Sequence, residues 1–251
     1  QFTMAAIAGG GTALFLNTQE SFLVLPAVLL MGILGGVVWG MIPAFLKTKF
    51  NANEILTSLM LSYVALLILS YLVHGPWRDP GGYNFPQSEI FSDFAMLPIL
   101  LEGTRLNLGT GFALLSVLII YILLSRTVLG YQFKVVGLAP AAANHAGFDR
   151  AKLIWLSMII SGGLAGLAGI SEVSGTIGQL LPSVSPGYGF TAIIVAFLGR
   201  LNPVGVLFAG LIMALTYIGG ENAQIEIGLP AAVTGLFQGV ILFFLLACDV
   251  L

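Results

Sequence analysis

Long uninterrupted runs of apolar residues, separated by short polar turns, dominate this chain. The first two full runs cover residues 22–46 and 54–74, with the polar turn KTKFNAN between them. Further runs cover residues 106–125, 153–173, 204–219 and 231–247. Because a helix needs roughly 20 apolar residues to cross the hydrocarbon core, the longer runs predict membrane-spanning helices. The alternation typical of a transmembrane β-barrel is missing from the sequence.

The composition indicates that lipid is the main solvent of the fold. Of the 251 residues, 58% are hydrophobic and only 8% are charged, whereas soluble domains carry about 25% charged residues. With loops subtracted, the length allows about six to eight crossings. We therefore predict an all-α, polytopic integral membrane protein that forms one helical-bundle domain over residues 1–251. The chain starts at Gln1 inside an apolar stretch, so we expect further N-terminal spans to precede it.

One apolar run is too short to cross a bilayer as a single helix. Residues 189–199, GFTAIIVAFLG, would extend about 17 Å, whereas the hydrocarbon core is about 30 Å thick. The sequence RLNP at 200–203 then interrupts the pattern. Residues 189–203 are either a broken helix, tolerated where protein or a water-filled cavity covers the break, or two ordinary helices joined at the surface.

The charged residues predict which loops face the cytoplasm. If every span reverses the side of the membrane, seven of the nine cations fall on one side: Lys47, Lys49, Arg126, Lys134, Arg150, Lys152 and Arg200. Because basic residues concentrate in cytoplasmic loops, the loop at 126–152 is predicted to be cytoplasmic and the long loop at 75–105 external. The net charge of −2 gives no indication of a nucleic-acid partner.

Glycines at four-residue spacing predict where helices pack closely. The spacing occurs at Gly32, Gly36 and Gly40, at Gly162 and Gly166, and at Gly235 and Gly239. Small residues on one helix face let backbones approach each other in lipid. We therefore expect these glycines to pack helices.

The sequence lacks the motifs of nucleotide hydrolysis, metal binding and nucleophilic catalysis. It has no G-x-x-x-x-G-K-[ST], H-E-x-x-H, C-x-x-C or G-x-S-x-G motif. Its single cysteine and two histidines form no metal-ligand pattern. We predict a chain that is not an enzyme and that holds no metal and no cofactor of its own.

A short cytoplasmic segment carries the most specific pattern in the chain. It consists of Ala139, Pro140, Ala141, Ala142, Ala143, Asn144, His145, Ala146 and Gly147. A proline near the first helical position, a run of alanines and a glycine at the C′ position predict a short exposed helix. Its small side chains suit close contact with another protein, and a simple amphipathic connector is the alternative.

Polar and aromatic residues in or near the spans are candidates for a solute path. They are Trp39, Ser58, Ser62, Tyr63, Glu172, Phe190 and Asn222, together with the nearby Tyr188 and Gln224. Ser58 and Ser62 share a helical face, which suits either a path lining or hydrogen bonds between helices. The rings suit stacking on a nucleobase, with interfacial anchoring as the alternative. Glu172, one turn inside its helix end, suits the rim of a cavity.

Two stretches resemble a family of ABC-transporter permeases that import branched-chain amino acids, ribose-type sugars and nucleosides. Residues 137–147, GLAPAAANHAG, resemble the family pattern G-x2-A-A-x3-G with looser spacing, and the Gly- and Ala-rich SGGLAGLAGISEVSG follows at 161–175. Residues 50–88 are similar to the nucleoside branch of that family. The resemblance covers residues 47–246, most of the chain.

The resemblance implies a pore-forming subunit that does not itself hydrolyse ATP. ATP and Mg²⁺ would bind to separate ATP-binding subunits, which would dock on the segment at 139–147. A second permease subunit, identical or different, and an external substrate-binding protein would complete an importer in the bacterial plasma membrane. The expected solute is a nucleoside, with a sugar or a branched-chain amino acid as the alternative. An ion-coupled secondary transporter or a non-transporting scaffold is the alternative outside the family.

Overall fold

The computed structural model describes residues 1–101, 103–104, 106–228, 230 and 232–250, and apart from one isolated bridge between Ile99 and Asn107 the regular secondary structure of these residues is helical. The α-helices are α1 (Phe2–Phe15), α2 (Val24–Phe50), α3 (Glu54–His74), α4 (Leu108–Arg126), α5 (Val128–Leu138), α6 (Pro140–His145), α7 (Arg150–Glu172), α8 (Tyr188–Leu198), α9 (Pro203–Ile227) and α10 (Ala232–Val250). A 3₁₀ helix (Asp93–Ala95) and a π-helical turn (Val173–Ile177) complete the described elements. The all-α prediction is confirmed.

Five helices in the described ranges are long and apolar enough to cross a membrane. They are α2, α3, α4, α9, and α7 with the π turn that follows it. The shorter apolar stretches are Phe2–Phe15, Val128–Leu138, Tyr188–Leu198 and Ala232–Ile241. The chain is therefore a multi-pass membrane protein, as its apolar pattern predicts.

Helix α9 is longer than the sequence predicts. The apolar pattern places a break at GENAQIE, but α9 continues through these residues to Ile227 and ends at Gly228, whose φ of 67° is left-handed. Alanine, glutamate and glutamine favour helix, and a left-handed glycine is a common helix end. The loss of hydrophobicity at residue 220 therefore does not mark the end of the helix.

Helices α1, α2 and α7 form the core of the first compact unit, which contains residues 1–116 and 127–185. Helix α1, part of an N-terminal apolar stretch whose structure the sequence pattern leaves open, buries half of its 14 residues. A methyl group at Gly9 would overlap with Ile170 of α7, and one at Gly10 would lie 2.8 Å from the side chain of Leu180. Glycine lets α1 lie close to its neighbours.

Helices α2 and α7 touch along their glycine faces. A Cβ atom at Gly36 would overlap with the carbonyl oxygen of Gly162 and lie 2.7 Å from Cα of Gly166. A Cβ at Gly166 would lie 2.9 Å from the carbonyl oxygen of Gly32, and one at Gly40 would lie 2.9 Å from a backbone carbonyl oxygen of α7. All five glycines therefore lie where this crossing leaves no room for a side chain.

The same spacing has a different outcome on α10. Gly235 and Gly239 have no neighbouring atom of the described chain within 4 Å of the place where a Cβ would lie. The prediction of close packing there is wrong for this part of the chain. Spacing puts small residues on one face, but it does not say whether another helix covers that face.

The long connection at residues 75–107 packs against the segment that follows α7. The backbone N–H of Phe91 donates to the carbonyl of Gly178 at 2.9 Å, and that of Leu97 donates to the carbonyl of Ser174 at 2.9 Å. The loop predicted at 75–105 is therefore structured, although its Glu102 and Arg105 lie outside the described residues.

Replacing Ser88 with alanine should loosen this packing. The fully buried Ser88 hydroxyl accepts the N–H of Leu180 at 2.8 Å and donates to the carbonyl of Glu89 at 3.0 Å. The substitution leaves the Leu180 N–H buried and unpaired, which costs about 1–3 kcal/mol and lowers the thermal unfolding temperature. Ser157→Ala is the control, because the exposed Ser157 hydroxyl bonds only to its own helix at 2.8 Å. Equal unfolding temperatures for the two variants would contradict this role of Ser88.

The second compact unit contains residues 117–126 and 186–251, and it includes α8, α9 and α10. The interruption expected near 189–203 is present, because α8 ends at Leu198 and α9 begins at Pro203. Arg200 and Leu201 between them have left-handed φ angles of 51° and 53°. The two helices are joined by a tight turn.

Candidate functional site

The alanine-rich segment forms the short helix α6 with both ends fixed by its own residues. Pro140 occupies the first turn, where its missing N–H removes no helical hydrogen bond. At the other end Gly147 has a φ of 74°, and the N–H of Phe148 donates to the carbonyl of Ala143 at 3.0 Å. The proline and the glycine thus set the length of the helix.

One side of α6 is anchored and the rest is exposed. Ala143 is only 1% exposed, whereas Leu138, just before the helix, is 87% exposed. The exposed positions of the segment are Ala139, Pro140, Ala141, Ala142, Asn144, His145, Ala146 and Gly147. The segment thus offers a strip of small side chains beside one large apolar side chain, a surface that a partner protein can approach closely.

Asp149 fixes the start of α7 directly after this segment. Its Oδ1 accepts the backbone N–H groups of Ala151 at 3.1 Å and Lys152 at 3.2 Å, and its Oδ2 lies 3.4 Å from Nζ of Lys152. The hydrogen bond from the Lys152 backbone, together with that residue's side chain, holds the pKa of Asp149 below its usual value. The carboxylate therefore caps the helix in its charged form.

Polar contacts on the same side join α7 to α2 and α2 to α3. The indole N–H of Trp155 donates to the hydroxyl of Thr48 at 3.2 Å. Nζ of Lys47 lies 2.6 Å from a carboxylate oxygen of Glu54, the first residue of α3. These contacts link α7, α2 and α3 in series at this end.

The candidate solute-path residues of the first unit are spread over three helices. Ser58, Ser62 and Tyr63 are exposed on α3, and the Ser62 hydroxyl donates to the carbonyl of Ser58 at 2.8 Å within the helix. Trp39 is half-buried on α2, and its indole nitrogen is buried without a partner in the described residues. Glu172 is half-buried at the end of α7. These contacts do not bring the residues together into one site.

The candidates of the second unit lie on two helices. Phe190 is exposed on α8, and Asn222 and Gln224 are exposed on α9, where the sequence pattern predicts a break. Tyr188 packs edge-on against Tyr217, with their ring centroids 5.7 Å apart. Phe190, Asn222 and Gln224 are exposed, and exposure alone does not show that they line a pocket.

A polar cluster that sequence reasoning missed lies beside Tyr217. The hydroxyl oxygens of Thr191 and Tyr217 are 2.8 Å apart, and the Thr191 hydroxyl lies 3.5 Å from Oε1 of Gln238. Thr191 and Gln238 are each 7% exposed. The three residues come from α8, α9 and α10. An available signal was the presence of a few polar side chains inside largely apolar stretches, Thr191 in α8, Tyr217 in α9 and Gln238 in α10 among them.

Comparison with known proteins gives matches over almost the whole chain. The family described as "Branched-chain amino acid transport system / permease component" matches residues 1–246. The glucose ABC transporter permease protein TsgB13 of Haloferax volcanii is 36% identical over 259 aligned positions, covering 99% of this chain and 68% of the relative. No solved structure gives a significant match.

Two bacterial relatives have names that refer to nucleosides. The guanosine ABC transporter permease protein NupP of Bacillus subtilis is 32% identical, covering 95% of this chain and 70% of the relative. The nucleoside ABC transporter permease protein NupB of Lactococcus lactis is 29% identical, covering 89% of this chain and 63% of the relative.

Proposed function

Because this chain belongs to the permease family of the branched-chain amino acid transport system and is the membrane component of an ABC importer, we propose that it forms a path for nucleosides. The observation that carries the proposal is the 32% identity to the guanosine permease over 95% of the chain. The similarity of residues 50–88 to the nucleoside branch supports it. Family membership sets aside the ion-coupled transporter and the scaffold.

A sugar is the second candidate solute. The 36% identity to the Haloferax volcanii glucose permease favours it. Glucose and nucleosides share a hydroxylated ring without a net charge, whereas a branched-chain amino acid carries a carboxylate and an ammonium group. We infer that the solute of this chain carries such a ring.

We further propose that α6 receives the ATP-binding subunits, on which ATP and Mg²⁺ bind. The exposed alanine strip, the cap at Asp149 and the contacts from α7 to α2 support this role, because a displacement of α6 would pass into the helices that pack at Gly36 and Gly162. The permease component is not itself catalytic. A second permease subunit and an external substrate-binding protein complete the proposed assembly in a bacterial plasma membrane.

The decisive experiment is reconstitution of the full chain with its ATP-binding subunits and binding protein in liposomes. We expect guanosine to raise ATP hydrolysis several-fold and to be taken up only when ATP and Mg²⁺ are present. Glucose and leucine serve as matched solutes in the same assay. Stimulation by glucose alone would replace the nucleoside with a sugar, and stimulation by leucine alone would contradict a hydroxylated solute.

A further inference from the structure

The polar cluster of the second unit contains an amide that the protein leaves unsatisfied. Nε2 of Gln238 is buried and has no hydrogen-bond partner within the described part of the chain. The amide has one hydrogen-bond partner among the described residues, the Thr191 hydroxyl at 3.5 Å. If the nitrogen and oxygen of the amide were exchanged, the oxygen would be the atom without a partner. One end of the amide is therefore unpaired in either orientation.

An unpaired buried amide is unfavourable, and more so in a membrane helix. The amide loses its hydrogen bonds to water on burial, and lipid offers no replacement. A leucine at this position would remove that cost and would match the apolar residues around it on α10, ILFF among them. A polar group retained under these conditions points to a ligand that completes its hydrogen bonds.

The cluster is built for a neutral oxygen-rich ligand. The hydroxyls of Thr191 and Tyr217 both donate and accept hydrogen bonds, and the Gln238 amide adds donors and an acceptor. The cluster contains no Asp, Glu, Lys, Arg or His side chain. The ring of Tyr188, which packs edge-on against Tyr217, adds an aromatic surface at the same place. Such groups match hydroxyl and ring oxygens and offer nothing to balance a carboxylate or an ammonium group.

We propose that Thr191, Tyr217 and Gln238 form a solute-binding site that recognises the hydroxyl groups of an uncharged, hydroxylated ring. This inference rests on the proposed function, because it names the residues that select the proposed class of solute. The Gln238 amide, whose nitrogen has no partner in the described residues, would hydrogen-bond a hydroxyl group of the solute. Thr191 and Tyr217 orient each other's hydroxyls through their 2.8 Å contact.

The test uses the reconstituted importer with Gln238→Leu. We expect this variant to raise the guanosine concentration that half-saturates uptake by about tenfold or more, because a buried hydrogen bond to the solute is lost. Uptake of 2′,3′-dideoxyguanosine, which lacks the ring hydroxyls, should change by less than about twofold. The thermal unfolding temperature of the complex should stay the same or rise, since the variant removes an unpaired polar group.

A matched pair of variants decides the outcome if Gln238→Leu fails to fold. Thr191→Val should also weaken guanosine uptake more than it weakens the uptake of 2′,3′-dideoxyguanosine. Thr216→Val should not, because the Thr216 hydroxyl bonds to the carbonyl of Ile212 at 3.1 Å within its own helix. The proposal would be overturned if Thr191→Val and Thr216→Val changed guanosine uptake relative to dideoxyguanosine uptake by the same factor. A folded Gln238→Leu variant with unchanged guanosine affinity would also overturn it.

The same variants separate this inference from the choice of solute. If glucose and not guanosine stimulates the wild-type importer, the nucleoside assignment fails, and the variants are measured with glucose and 2-deoxyglucose instead. A selective loss for glucose would still support the cluster as the site. Unchanged glucose uptake by folded Gln238→Leu and Thr191→Val variants would overturn the site.

Discussion

Replacing Gly36 with alanine should prevent α2 and α7 from packing. The added Cβ would overlap with the carbonyl oxygen of Gly162 and approach the backbone of Gly166, and neither is a side chain that can rotate away. The helices would have to separate along a crossing that also holds Gly32 and Gly40. We expect a loss of about 3 kcal/mol or more, measured as a fall in thermal unfolding temperature and in the monodisperse fraction after purification.

Gly111→Ala is the matched control for this prediction. Gly111 lies in α4, and no described atom lies within 4 Å of the place where its Cβ would be. Because alanine favours helix over glycine, this substitution should leave stability unchanged or raise it by about 0.5–1 kcal/mol. If Gly36→Ala unfolds at the same temperature as Gly111→Ala, the close approach of α2 and α7 is wrong.

Replacing Ala142 with tryptophan should block energy transfer without unfolding the permease. Ala142 is exposed on α6, so the ring has room in the isolated chain, but it would hold a docked partner away from the alanine strip. We expect ATP-driven uptake to fall by about tenfold or more, because the ring would displace the ATP-binding subunit from the centre of its contact with α6. The unfolding temperature of the permease should remain within about 2 °C of the wild type, as for most exposed substitutions.

Two further variants show whether the docked face matters. Ala143→Trp should unfold the segment, because Ala143 is buried against the protein. Lys49→Trp places the same ring at an exposed position near the end of α2, on the same predicted side of the membrane but outside α6, and should leave uptake unchanged. If Ala142→Trp takes up solute as fast as the wild type, α6 does not receive the ATP-binding subunits.

Elements with local signals could be predicted from the sequence. Helix α3 has its predicted bounds because Asn53 caps its first turn, accepting the N–H of Ile55 at 2.9 Å, and because glycine follows His74. The start and end of α6 follow from Pro140 and Gly147 in the same way. Side-chain chemistry within a few residues is sufficient for such boundaries.

Features that depend on distant residues could not be predicted in this way. The serine at position 88 is unremarkable in sequence, and its role comes from Leu180, which lies 92 residues away. Gln238 and Thr191 are 47 residues apart and meet only because α8 and α10 pack together. Glycine spacing places Gly235 and Gly239 on one face of α10, but no atom of the described residues lies within 4 Å of where a Cβ of Gly235 would be. Periodicity identifies a face, and tertiary packing decides its use.

The backbone contact between α2 and α7 also limits how the protein can change shape. Helices separated by flexible side chains can slide past each other as those side chains change rotamer, but a carbonyl oxygen held against an α-carbon has no such freedom. The backbones of Val37 and Ile33 also lie at this crossing, because their Cα atoms are 3.0 Å from where a Cβ would be at Gly162 and Gly166. We therefore expect these two spans to move as one unit when the protein changes conformation.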